Sequence, residues 1–115
     1  MKTNPPIKLS DLIAAVNADV LTERKERDIT GCYISDMLSD VLACAQPGVL
    51  WLTIQAHRNV VSCAATKDIG AVLITCRRKP APEIVAEAGE NDVILLSTPL
   101  TTYEVAGKLW EAGLR

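Results

Sequence analysis

The sequence predicts an α/β fold, a three-layer α/β/α sandwich around a mostly parallel sheet of about four or five strands. Three short segments are apolar on both faces, as parallel strands covered by helices on both sides require: Val49–Ile54, Ala71–Thr75 and Val93–Ser97. The segments between these strands repeat apolar residues at a helical spacing of about 3.6. Because strands and helices alternate along the chain, we expect right-handed crossovers, with helices on each side of the sheet.

The first half of the chain predicts two helices and two further extended segments. Leu9–Val16 carries apolar residues at helical spacing, and Asp19–Thr22 is expected to be a short strand. Residues Ile29–Ile34 are expected to add another extended piece. Met37–Ala45 forms the second helix, for which Ser35 is placed as the N-cap and the following Pro-Gly pair as the stop.

Three helices are predicted in the second half. Val60–Ala65 is short and nearly all apolar, and Pro82–Gly89 starts with a proline suited to a first helical turn. The last helix begins at a capping box formed by Thr101 and Glu104 and ends at Gly113. Its aromatic residues Tyr103 and Trp110, seven apart, are expected to anchor the core or an interface.

Length and composition narrow the class of protein. The chain has 115 residues, so we expect residues 1–115 to form a single domain. A net charge of −2 and an aromatic content of 3% argue against a nucleic-acid surface. No run of 18 apolar residues and no apolar segment near the N-terminus occurs, so we expect no membrane span, no signal peptide and a cytoplasmic location.

The four cysteines, Cys32, Cys44, Cys63 and Cys76, are 12, 19 and 13 residues apart. No C-x-x-C pair is present, whereas zinc and iron–sulfur sites usually bring two ligands close in sequence. Each cysteine lies among apolar residues, so we expect all four to be small buried side chains in a reducing compartment and expect no metal site.

Ligands of open α/β sheets bind beyond the carboxyl ends of the strands. Three loops are expected to meet at that edge: 55–59, 76–80 and 97–102. Their cationic and hydroxyl side chains suit an anionic ligand such as phosphate or a nucleotide. The candidate ligand-binding residues are His57, Arg58, Asn59, Arg77, Arg78, Thr98 and Thr101.

A purely structural interpretation of the same residues stays open. In that interpretation His57 ends a strand, Asn59 caps the next helix, and Thr101 only caps the last one. Arg77 and Arg78 then belong to a solvated turn. His57 is the one histidine and has no neighbouring nucleophile or acid in sequence, so we predict no catalytic residues and no resident cofactor, with a bound nucleotide left open.

Three segments in this order and spacing resemble the DRTGG domain family: Ile29–Ser39, Trp51–Val61 and Leu96–Ala106. The resemblance extends from about Lys8 to Leu114. It implies an α/β/α domain related to the N-terminal domain of HPr kinase/phosphorylase. Such domains occur beside CBS domains in some inorganic pyrophosphatases, in long phosphotransacetylases, and alone, often beside iron-only hydrogenase components in anaerobes. This chain looks like the stand-alone form.

The sequence departs from relatives of this family at two points. The nearest string to the signature pentapeptide is Asp28–Cys32, which lacks the arginine and the second glycine. No G-x-x-x-x-G-K-[ST] occurs either, so phosphoryl transfer through a P-loop is not expected.

The resemblance therefore implies a non-catalytic regulatory or protein-interaction module, associated with anaerobic hydrogenase or energy metabolism. Multidomain relatives tend to use this domain as a dimer interface, so we expect a homodimer, with a protein partner as a further expectation. The candidate interface residues are Tyr33, Met37, Leu38 and Val41. The alternative is a small-ligand sensor that binds a nucleotide or phosphate at the carboxyl edge of the sheet.

Overall fold

The computed structural model describes residues 5–115, which form seven strands and five helices. The strands are β1 (Ile7–Lys8), β2 (Asp19–Val20), β3 (Asp28–Ile29), β4 (Cys32–Ile34), β5 (Leu50–Thr53), β6 (Ala71–Ile74) and β7 (Leu95–Ser97). The helices are α1 (Leu9–Ala15), α2 (Leu38–Cys44), α3 (Arg58–Thr66), α4 (Pro82–Glu90) and α5 (Thr102–Glu111).

The main sheet has five strands in the order β2-β7-β6-β5-β4. Strands β4 to β7 are parallel, and β2 pairs with β7 in the antiparallel direction. The predicted mostly parallel sheet is thereby confirmed. The segment expected as one extended piece after Ile29 contains two strands, because β3 leaves the main sheet and pairs with β1 in a separate two-stranded ribbon.

Helices cover both faces of the sheet, which confirms the predicted three layers. Buried residues of α2, α3 and α4 pack on one face together with Trp51, while those of α1 and α5 pack on the other with Leu50 and Leu52. Successive side chains of a strand point to opposite faces, so each central strand contributes to both clusters. Burial on both faces explains why the central strands of the sheet are apolar at nearly every position.

Two of the predicted helix caps are wrong. Ser35 is not the N-cap of α2, which begins at Leu38 after Met37. Residues 35 and 36 are instead bonded to β5, so the N-cap lies two residues later than expected. At α3, His57 rather than Asn59 is the N-cap, because the His57 Nδ1 accepts a hydrogen bond from the Asn59 backbone N–H at 3.2 Å.

Burial decides between alternatives at two aromatic side chains and differs from expectation at two cysteines. Tyr103 and Trp110 are 87% and 60% exposed, so of the two expected roles the core anchor is excluded, and α5 contacts the core through Val105 and Leu109. Cys44 and Cys76 are exposed, whereas Cys63 is buried and Cys32 partly buried. Apolar neighbours in sequence do not determine which side of a helix or loop a cysteine occupies.

Candidate functional site

The chain leaves the carboxyl ends of β6 and β7 toward opposite faces of the sheet. After β6 it continues to α4, which packs on the face of Trp51, and after β7 it continues to α5 on the other face. Adjacent strands whose connections diverge in this way leave a crevice between them, which is where ligands of open α/β sheets bind. The fold therefore places its candidate site above β6 and β7.

A cavity of about 310 Å³ lies at this point of the sheet edge, and we call it the Ser97 cavity. Its lining residues are Asp19, Arg77, Lys79, Ser97, Thr98 and Pro99. Strand β7 lies between β6 and β2, so the residues that follow β7 form the middle of the site. The loop after β6 supplies the two cations on one side, and the first residue of β2 supplies a carboxylate on the other.

Ser97 is the most unusual lining residue. It is only 1% exposed, and within residues 5–115 its Oγ finds no hydrogen-bond partner. Buried hydroxyls are almost always hydrogen-bonded, because removing one from water without a partner costs free energy. An unpaired hydroxyl beside a cavity is therefore a feature that needs an explanation.

The neighbouring Thr98 has a structural role. Its Oγ1 donates to the Val16 carbonyl at 2.8 Å and accepts from the Leu100 N–H at 3.3 Å. The Thr98 carbonyl in turn accepts from the Arg77 N–H at 3.1 Å. Thr98 thus ties the loop after β7 to the loop after β6 and to the end of α1, and its hydroxyl is already occupied.

The loop after β6 holds two consecutive residues in a conformation that is costly for side chains other than glycine. Cys76 and Arg77 have φ values of 62° and 64°, in the left-handed region. Strain of this kind persists only where surrounding contacts enforce it, and it is concentrated at functional sites. Here the Cys76 N–H donates to the Leu100 carbonyl at 2.8 Å, which fixes the position from which Arg77 extends.

Electrostatics at the Ser97 cavity are dominated by unpaired charges. Arg77, Lys79 and Asp19 are all exposed, and none forms an ion pair with another described residue. The Cys76 thiol lies nearby without lining the cavity. Its pKa is lowered from the ordinary value, first by a hydrogen bond with Thr75 and then by contacts with Thr102.

The carboxyl end of β5 differs, because its polar groups satisfy one another. One oxygen of Asp36 accepts from Thr53 Oγ1 at 2.8 Å and from the Ile54 N–H at 2.9 Å. His57 caps α3, and Arg58 forms an ion pair with Glu87 of α4 at 2.9 Å. None of the loop residues 55–59 lines the Ser97 cavity.

Of the seven predicted ligand-binding residues, only Arg77 and Thr98 line this cavity. His57, Arg58 and Asn59 lie outside it, and so does Arg78. Thr101 forms the predicted capping box with Glu104, and this interaction explains its hydroxyl.

The sequence reasoning missed three polar lining residues: Asp19, Lys79 and Ser97. A polar residue ending the apolar run of β7 was an available signal for Ser97. Lys79 was visible in the predicted loop, whereas nothing local indicated the antiparallel direction of β2 that brings Asp19 to this edge.

A second feature is an exposed apolar surface beside the edge strand, which we call the β4–α2 patch. Ile34, Met37 and Leu42 are 51%, 64% and 43% exposed. Two of the predicted interface residues are less available: Val41 is fully buried in the core, and Leu38 is partly buried against it.

Tyr33 lies next to this patch. Its hydroxyl donates to the Asp40 carboxylate at 2.8 Å. This hydrogen bond raises the pKa of Tyr33 and lowers that of Asp40. The tyrosine and the carboxylate are thus held together at the start of α2.

Comparison with known proteins supports the fold and identifies the family. The chain is similar to the CBS and DRTGG domains of the regulatory region of a Clostridium perfringens pyrophosphatase, solved in complex with its activator diadenosine tetraphosphate. The TM-score is 0.73 at 14% identity, over 88% of this chain and 45% of that one, so this chain spans under half the length of that structure.

No curated protein sequence gives a significant match. Among residues 5–115, no helix has the length and apolarity needed to cross a bilayer. The model of the DRTGG domain, in contrast, matches residues 11–112, nearly the whole chain, and the chain therefore belongs to the DRTGG domain family.

Proposed function

We propose that this chain is a non-catalytic regulatory domain that acts by associating with a second copy of itself. Membership of the DRTGG family supports a regulatory role, since the similar pyrophosphatase domains belong to a region described as regulatory. The observation that carries the association is the β4–α2 patch. Its three large apolar side chains come from the edge strand and from the N-cap and body of the helix that follows it, and each is more than 40% exposed, which is unfavourable in water.

The position of β4 supports association at this patch. Strand β4 is the last strand of the main sheet and pairs with β5 on one side only. Edge strands leave backbone groups free to bond another chain unless something covers them. In a two-fold dimer the same patch is used by both copies, so Ile34, Met37 and Leu42 would be buried together.

The proposed absence of catalysis rests on how the one histidine is used. His57 is the only histidine in the sequence, and its Nδ1 is engaged as the cap of α3. Its neighbour Arg58 is paired with Glu87. One ring nitrogen of His57 thus serves the fold, and among residues 5–115 no carboxylate or nucleophile is hydrogen-bonded to the ring.

Light scattering after size-exclusion chromatography tests the association. We expect the mass of two chains for the unchanged protein and of one chain for Met37→Glu, because a charge in an apolar interface must be desolvated. Trp110→Glu, which adds a charge at the exposed apolar residue of α5, is the matched control and should remain dimeric. A monomer over a wide concentration range, or dissociation by the control alone, would contradict the proposal.

The setting we propose is the cytoplasm, in association with anaerobic hydrogenase or energy metabolism. The family resemblance supports the metabolic setting, and the four free cysteines are typical of a reducing compartment. Affinity purification of the tagged protein from its own cells should enrich components of those systems. Recovery of unrelated proteins only would count against this setting.

Ligand sensing is the second candidate function, and the Ser97 cavity favours it. The similar pyrophosphatase region was solved with a nucleotide activator, which is a property of that protein and of its combined domains. For this chain the support comes from the cavity at the divergence of β6 and β7, where two cations and a buried hydroxyl meet.

A further inference from the structure

We infer that the Ser97 cavity binds a small phosphate monoester that carries hydroxyl groups, with its phosphate held by Arg77 and Lys79 and a hydroxyl held by Asp19. This inference deepens the ligand-sensing candidate by giving it a site and a ligand chemistry. It does not depend on the dimer, because the cavity and the β4–α2 patch lie at different ends of the strand order.

The unpaired hydroxyl of Ser97 points to a bound partner. Its Oγ is buried, and no described residue bonds to it, although the adjacent Thr98 hydroxyl makes two hydrogen bonds. A phosphate oxygen is a suitable partner, because the serine O–H can donate to an ionised acceptor and such bonds are about twice as strong as neutral ones. Binding would therefore remove the cost of leaving this hydroxyl unpaired.

Two cationic side chains line the same cavity and are not used in ion pairs within the protein. Arg77 and Lys79 line the cavity without an ion pair to any described residue. Arg77 extends from a strained residue that the loop after β7 holds in place through the Thr98 carbonyl. The planar fork of a guanidinium suits the geometry of a phosphate group, and a lysine adds a second charge.

Asp19 distinguishes a phosphate monoester from a bare anion. Its carboxylate lines the side of the cavity that belongs to β2, across β7 from the two cations. A carboxylate repels inorganic phosphate but accepts hydrogen bonds from hydroxyl groups, the role an acidic residue has toward ribose in dinucleotide-binding folds.

The size of the cavity favours a small ligand. Its volume of about 310 Å³ is at the lower end of ligand pockets, which span roughly 300–1,000 Å³. A sugar phosphate is thus a better match than a dinucleotide.

Isothermal titration calorimetry with three probes tests the ligand chemistry: ribose 5-phosphate, inorganic phosphate and ribose. We expect ribose 5-phosphate to bind at least about 5-fold more tightly than phosphate, because only the ester satisfies both sides of the cavity. Ribose alone should not bind. Failure of all three probes to bind at millimolar concentration would overturn the inference.

Variants test the site itself. Ser97→Ala should weaken ribose 5-phosphate binding about 10-fold, the effect of losing a hydrogen bond to a charged group. The same variant should leave the melting temperature of the free protein unchanged or higher, because it removes an unpaired buried hydroxyl. A structural role for Ser97 would give the opposite result, a lower melting temperature.

Adjacent arginines provide a matched control. Arg77→Ala should weaken binding at least about 10-fold, whereas Arg78→Ala removes the same charge from the same loop outside the cavity and should have little effect. Equal losses of affinity in the two arginine variants would mean that the ligand is attracted only by general positive charge, and would overturn the proposed site. Asp19→Asn should reduce the preference for the ester over phosphate, and an unchanged preference would overturn the assigned role of Asp19.

The outcome can be separated from that of the proposed dimer. Light scattering of the same variants should still give the mass of two chains, since none of them lies in the β4–α2 patch. If the protein is dimeric but binds no probe, only the proposed ligand site is overturned. If it is monomeric but binds ribose 5-phosphate, only the proposed dimer is overturned.

Discussion

Two neighbouring parts of one sheet edge use their polar residues in different ways. At the end of β5, Asp36 bonds to Thr53 and to the backbone of Ile54. At the ends of β6 and β7, the Ser97 hydroxyl is unpaired and Arg77 has no ion pair with a described residue. Both parts follow parallel strands and both are rich in polar side chains, yet only the second part contains the Ser97 cavity.

The difference shows that polar residues beyond a parallel strand are not in themselves a binding site. Groups that already bond to one another gain little from a ligand, because binding would exchange one hydrogen bond for another. A buried group that the fold leaves unpaired, such as the Ser97 hydroxyl, gains more, because its bond to a ligand replaces no other hydrogen bond. Three predictions test this distinction through the stability of the protein without ligand.

The largest effect is expected for Asp36→Ala at the end of β5. The Thr53 hydroxyl and the Ile54 N–H would lose their acceptor, which should lower the free energy of unfolding by about 2 kcal/mol. Asp19→Ala is the matched control, since Asp19 has no ion pair with a described residue and should change stability by less than about 0.5 kcal/mol. Urea denaturation measures the free energy of unfolding of both variants. Equal losses of stability would contradict the contrast between the two parts of the sheet edge.

An intermediate effect is expected for Thr98→Val, beside the cavity. This change removes the hydroxyl that bonds to the Val16 carbonyl and the Leu100 N–H, and should cost about 1.5 kcal/mol. Ser97→Ala, one residue away, should cost nothing. Thermal unfolding of the two variants side by side would contradict this interpretation if Ser97→Ala were the more damaging change.

The smallest effect is expected for Arg77→Gly, and its sign is opposite. Glycine adopts a positive φ without the clash of a Cβ, so the variant should be more stable by about 0.5 kcal/mol after the entropic cost of glycine is subtracted. Arg78→Gly has no positive φ to relieve and should be slightly less stable. A loss of stability in Arg77→Gly would show that the left-handed conformation there carries no strain.

The sequence was sufficient to predict the layers of the fold. Runs such as Ala71–Thr75 and Val93–Ser97 are apolar on both faces, and burial of this kind leaves few alternatives to a parallel sheet between helices. The Thr101 cap was predictable as well, because a capping box depends on residues only three positions apart.

Features that depend on distant parts of the chain were not predictable. Ser35 has the side chain of an N-cap, but contacts with β5 sixteen and more residues away delay the helix. The spacing of Tyr103 and Trp110 fits an anchor of a core or of an interface, and it could not show that the sheet meets the opposite side of α5. Whether Ser97 has a partner is likewise decided by tertiary packing, so its sequence neighbours could not reveal it.

The two tryptophans occupy opposite environments, which makes the protein its own fluorescent reporter. Trp51 is fully buried within β5, where its indole N–H donates to the Ser35 carbonyl at 2.9 Å, and Trp110 lies on the surface of α5. Dissolved quenchers should reach Trp110 and not Trp51. Replacement of Trp110 by phenylalanine would therefore leave Trp51 as the single tryptophan. A shift of its emission maximum to longer wavelength would then report exposure of the Trp51 ring to water.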